Sequence, residues 1–176
     1  MSNGLLRRLL ANNGGAAAAE MALVTPLLLL IMAGGLEVGN YFMDEHRLVK
    51  AVRDGARFAA RKDFTYFQAC NAAPVDTVAP IENVVADTQT LIRTSYLSGG
   101  TDQLSNWSGG TISVTTRCST GDGTTTYGGI YKDMANGARK VEISASVNYL
   151  PVLAPFGVSL MGAKLTAKQE AAVSGV

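Results

Sequence analysis

Between Gly15 and Leu36 one residue can carry a charge, Glu20. It stands just ahead of an apolar run from Ala22 to Leu36, with Leu27-Leu28-Leu29-Leu30-Ile31-Met32 at its centre. An ionisable group at the edge of a membrane span, or inside it, is costly and marks a functional position by default. Other residues with chemical potential are sparse. His46 is the single histidine, with no Cys or carboxylate cluster at ligand spacing, so no metal site is expected. A Ser-His-Asp arrangement would have to use His46, on a charged helix beside the membrane surface, which suits it poorly. Gly121-Asp122-Gly123 lacks the lysine and the strand-to-helix context of a phosphate loop. Asp122 and Asp133 lack the dense Asp/Asn spacing of a calcium loop. The sequence therefore predicts no enzymatic activity and no cofactor.

The elements that must position Glu20 follow from the pattern around it. An apolar stretch of about 20 residues can cross a bilayer as a helix, and Ala16 to Leu36 has that length. The preceding residues, MSNGLLRRLLANNGG, hold Arg7 and Arg8 and no acid. Positive residues flanking a span stay in the cytoplasm, so residues 1–15 read as a cytoplasmic basic leader and the rest as exported. Cleavage at Ala33-Gly34-Gly35 by a signal peptidase is the competing reading of the same segment. Pro26 predicts a kink in the span. Gly34, Gly35 and Gly39 either let another helix approach closely or are ordinary glycines of a membrane helix.

The helix should continue past the span to about Lys62, giving one transmembrane helix and its extension over residues 16–62. Tyr41 and Phe42 suit the membrane interface. Leu48, Val52, Ala56 and Ala59 recur at helical spacing as a narrow apolar stripe. Lys50 and Asp54 are spaced for an ion pair. Arg53, Arg57 and Arg61 share one face, either solvated or facing acidic groups of a partner, lipid headgroups or the chain's own globular part.

Residues 63–176 read as a small α+β head. An amphipathic helix from about Pro80 to Leu97 presents Ile81, Val84, Val85, Thr88, Leu91 and Ile92, with Gly99-Gly100 as its stop. Trp107 reads as a packing residue. The period then becomes two: Ile112 to Cys118, Lys140 to Tyr149, and Ala163 to Val173 are strands of a three-stranded antiparallel sheet that the helices cover. Val152 to Gly157 is an apolar turn. Cys70 and Cys118 pair most readily in an exported domain; the alternative is two separate buried thiols. The net charge of +1 gives no basic excess for nucleic acid.

Gly15, Ala16 and Glu20 resemble a type IV prepilin processing site. More narrowly, residues 14–61 resemble the TadE-like family of Tad (tight adherence, Flp) pilus systems. The marks are the small residues before Glu20, Pro26 before the leucines, Leu36-Glu37 followed by Gly39, and Asp54-Gly55-Ala56-Arg57 to Ala60. Met21 stands where processed members usually carry an aromatic. The resemblance implies cleavage between Gly15 and Ala16 by a prepilin peptidase, making Glu20 the fifth mature residue. It implies a minor pilin or pseudopilin that takes part in assembling a Tad/Flp-type pilus for adherence. Its partners would be pilin and other assembly subunits, its location the bacterial inner membrane, with a periplasmic head. The alternative is a permanently anchored single-pass protein whose exported head binds an envelope secretion or pilus complex. Physics supports the implied role of Glu20 independently of the resemblance. A carboxylate in low dielectric needs a partner, and the mature amine of its own chain or a neighbour's could serve, fixing helix register.

Overall fold

The computed structural model describes residues 14–67, 80, 82–119, 138–156 and 162–175. The chain divides into two units between Asn40 and Tyr41. Helix α1, Gly14–Ala60, is continuous across that division. The second unit adds helix α2 (Glu82–Thr94) and strands β1 (Thr111–Ser119), β2 (Ala138–Asn148) and β3 (Lys164–Ala172). The architecture is α+β, as the periodicities predict.

The three strands lie in the order β1-β2-β3, each pair antiparallel. Alternation in β2 sends Val141, Ile143, Ala145, Val147 and Tyr149 to one face, and all five are buried. Register aligns Val114 with Ile143, and Ala145 with Ala167. Against this face pack Leu48, Val52, Ala56 and Ala59 of α1 and Val84 and Ile92 of α2, in one continuous core. Burying a Leu, Val or Ile side chain is worth about 1.5–3 kcal/mol, so these contacts hold the unit together.

Most buried positions on α1 are small: Ala51, Gly55, Ala56, Ala59 and Ala60. Small residues let neighbouring elements come close. At Gly55 the approach is closest, because a Cβ built there would lie 2.6 Å from Ile92 Cγ1. Only glycine leaves room for that side chain. The expected Lys50–Asp54 pair is not among the ion pairs of the described residues. Arg47 instead pairs with Asp44, at 3.0 Å.

The far end of α1 is closed by the end of the chain. Ser174 donates to the Ala60 carbonyl from both its backbone N–H, at 2.8 Å, and its hydroxyl, at 3.1 Å. Orphan carbonyls at a helix C-terminus need such donors. Asp63 then starts a 3-10 turn, Phe64–Tyr66, by accepting from the Thr65 N–H at 2.8 Å. That backbone bond to Thr65 holds its carboxyl below the ordinary value.

Helix α2 stops earlier than its glycine pair predicts. Ser95 takes the left-handed conformation (φ 63°), and its N–H bonds the Leu91 carbonyl at 2.8 Å. Gly99 and Gly100 also have positive φ, but they serve the loop beyond. Arg93 and Asp102 fasten that loop with two bonds, of 3.1 and 2.7 Å. Trp107 is buried, 7 % exposed, as a packing residue should be.

Candidate functional site

The first unit is α1 from Gly14 to Asn40. Alanine and leucine are strong helix formers, and they fill residues 16–30 with few interruptions. Every large apolar side chain from Met21 to Leu36 is exposed. Leu27, Leu28, Leu29 and Leu30 occupy four successive positions, so they cover every side of the helix. A helix that is apolar all round belongs in a bilayer or among other helices. Ala16 to Leu36 rises about 30 Å at 1.5 Å per residue, the thickness of a bilayer's hydrocarbon core. α1 is long and apolar enough to cross a membrane, which makes this unit a candidate anchor.

The residues singled out by sequence share this helix. The Gly15–Ala16 bond lies in its first turn, since the helix begins at Gly14. Ala16 and Glu20 are four residues apart, so they stand one above the other on one face. Glu20 is exposed and has no ion-pair or hydrogen-bond partner among the described residues.

Pro26 sits inside the helix and offers no N–H to the Ala22 carbonyl. Beside it, the Thr25 hydroxyl bonds the Met21 carbonyl at 2.6 Å. Threonine hydroxyls and neighbouring helices are the usual ways of satisfying backbone near a membrane proline. A Cβ built on Gly34, Gly35 or Gly39 meets nothing within 4 Å. Glu37 is buried.

In the second unit the remaining candidates are dispersed. His46 is exposed on α1, and Arg53, Arg57 and Arg61 are likewise exposed. Among the described residues no three of His, Cys, Asp and Glu assemble as a metal site. Cys118 falls on β1 opposite Arg139, but Cys70 lies outside the described residues, and so does their pairing. Asp122 and Asp133 also lie outside. A groove of about 500 Å³ is lined by Arg47, Lys50, Ala51, Asp54, Ser95 and Gln103. It collects mixed charge and no nucleophile paired with a base.

Strand register creates one ionic cluster that the sequence pattern left unmarked. On the sheet face away from the core, Glu142 takes Arg117 Nε at 2.8 Å and Lys168 Nζ at 2.9 Å on one oxygen. Glu170 stands directly opposite Glu142 on β3. Burial raises the Glu142 pKa, but the Lys168 hydrogen bond and the charges of Arg117 and Lys168 outweigh it. The carboxyl is held below its ordinary 4.5. The cluster orders the open face; it carries no arrangement for a reaction. Its signal was available only through register, since Arg117 and Lys168 lie diagonal to Glu142 on two different strands.

One family model matches the chain, that of TadE-like proteins, over residues 15–57. The matched stretch starts at Gly15 and ends at Arg57, so it takes in Glu20, Pro26 and Leu48, Val52 and Ala56 of the buried stripe of α1. No curated protein matches the chain. No solved structure matches it either.

Proposed function

We propose, from the TadE-like character of residues 15–57, that this protein is a minor pilin or pseudopilin of a Tad/Flp-type pilus. Before assembly it sits in the bacterial inner membrane through residues 16–36, with Arg7 and Arg8 on the cytoplasmic side and residues 41–176 on the other. A prepilin peptidase cuts between Gly15 and Ala16. The new amine then lies one turn from Glu20, and the two charges pair within the chain or between neighbouring subunits. Pilin and other assembly subunits pack against the apolar helix. On this reading the chain performs no reaction of its own and needs no cofactor.

The observation that carries the proposal is the family match beginning at Gly15, on a helix whose apolar side chains face outward all round. Gly14 and Gly15 add a physical argument for access. Glycine is a weak helix former, so the first turn, which Gly14 and Gly15 open, frays readily and leaves the bond accessible. A second reading, a permanently anchored accessory protein, draws support from Met21 in place of an aromatic.

Intact mass of the membrane-extracted protein separates the two readings. A chain beginning at Ala16 is expected; a mass that retains Met1 to Gly15 rejects the processed form. Glu20→Ala should leave membrane insertion intact and reduce incorporation into pili. Unchanged incorporation would remove the pairing role of Glu20.

A further inference from the structure

In the second unit the Tyr41 hydroxyl donates to the Lys164 carbonyl at 3.3 Å. The Tyr41 ring meets Tyr149 edge-on at 5.2 Å, and Phe42 at 6.0 Å. Tyr149 and Lys164 flank the β2–β3 connection, so these contacts hold its two flanking residues against Tyr41. Residues 149–163, YLPVLAPFGVSLMGA, contain no charged residue. Leu150, next to Tyr149, is 55 % exposed, Val152 58 %, and Phe42, next to Tyr41, 53 %. Soluble surfaces carry single apolar residues without consequence; a contiguous apolar cluster marks a contact.

We propose that this β2–β3 connection, residues 150–155, is a membrane-interface element that seats the second unit on the bilayer. The inference rests on the reading of α1 as a membrane anchor. Given that reading, chain length alone bounds the location. Tyr41 follows Leu36 by five residues, at most about 18 Å of chain, so it stays within reach of the headgroup layer at the edge of the span. Residues held against Tyr41 are offered to the same layer. The chemistry matches the layer as well. Tyrosines with one wet and one apolar end are enriched there, and amphipathic elements bury their apolar side about 5–10 Å into the headgroup boundary. Lys164 is exposed at the edge of the connection, where an ammonium can reach lipid phosphates while its stem lies along apolar surface.

The test uses the full chain reconstituted in phosphatidylcholine vesicles without bromine, with bromine near the carbonyl end of the acyl chains, or with bromine deep in them, the deep label reading the Leu29→Trp control. Leu150→Trp supplies the reporter, Leu29→Trp the span control, and the parent protein gives the Trp107 background to subtract. The added tryptophan of Leu150→Trp is expected to emit at short wavelength and to lose about half its emission to bromolipid, as the interfacial depth requires. Emission quenched by acrylamide and untouched by bromolipid overturns the proposal and leaves the connection facing water. Emission quenched by neither also overturns it, with protein or a second copy as the cover. Should Leu150→Trp lose cooperative melting, Val152→Trp is read in the same way. Loss of quenching at Leu29→Trp too would reject the anchor itself; quenching at Leu29→Trp alone rejects only the seating of residues 150–155.

Discussion

The two stretches of α1, before and after Tyr41, use the same kinds of residue to opposite ends. Before it, large apolar side chains occupy every side and all are exposed, while Gly34, Gly35 and Gly39 look onto open space. After it, the large buried residues are few, Leu48 and Val52, and the small ones each meet a neighbour. Gly55 is the clearest case, with Ile92 where its side chain would be. The difference lies in who supplies the contacts. The second stretch is solved by its own chain; the first must be solved by lipid or by other helices. A helix can therefore be apolar for two reasons, and only the breadth of its apolar surface tells them apart.

Substitutions that treat the two stretches alike should reveal this. Leu48→Ala leaves a cavity at a site 0 % exposed and should cost about 3 kcal/mol of stability in the second unit. Leu29→Ala, the same change in the first stretch, should leave that unit's melting unchanged. Calorimetry of both proteins in the same detergent checks the pair, and equal losses would erase the distinction. Gly55→Ala forces Ile92 aside and should cost about 2 kcal/mol, whereas Gly34→Ala should raise the denaturation midpoint or leave it unchanged. Chemical denaturation followed by Trp107 fluorescence reads both.

The smallest effect tests the sheet face rather than the helix. Because the folded Glu142 carboxyl titrates below its ordinary 4.5, its contribution is present above that value. It is lost as pH falls through the lower folded value. Glu142→Gln should cost about 1 kcal/mol at neutral pH and flatten the decline in acid. Melting curves from pH 7 to the acid range, compared with the parent, decide it; an unchanged acid slope would assign that slope to other carboxylates.

How much of this was legible beforehand depended on the range of the interaction. The Leu27–Met32 run and the strict alternation from Val141 to Tyr149 are local patterns, and they gave the span and the central strand directly. The stripe Leu48, Val52, Ala56 and Ala59 was equally readable, since helical spacing is local. Ser95 took over the stop expected at Gly99-Gly100 because a left-handed residue other than glycine is unusual, and composition favoured the glycines. The Tyr41–Tyr149–Lys164 contact and the Arg117–Glu142–Lys168 cluster depend on which strands become neighbours and in what register. No spacing along one chain encodes that. Glu20 stood out as the one charge beside the apolar run, whereas Gly15 and Ala16 drew notice only through family resemblance, because a proposed cleavage signal would be read by another protein and leaves little trace in packing.

The Ser174 bonds to the Ala60 carbonyl have a mechanical meaning. A pull on the chain at Tyr41, along the helix, does not reach a loose end: α1 lies along the core from Tyr41 to Ala60, and at Ala60 the final residues hold it. Such a load falls on Leu48, Val52, Ala56, Ala59 and the Ser174 bonds at the same time. Contacts strained together resist more than contacts peeled one after another.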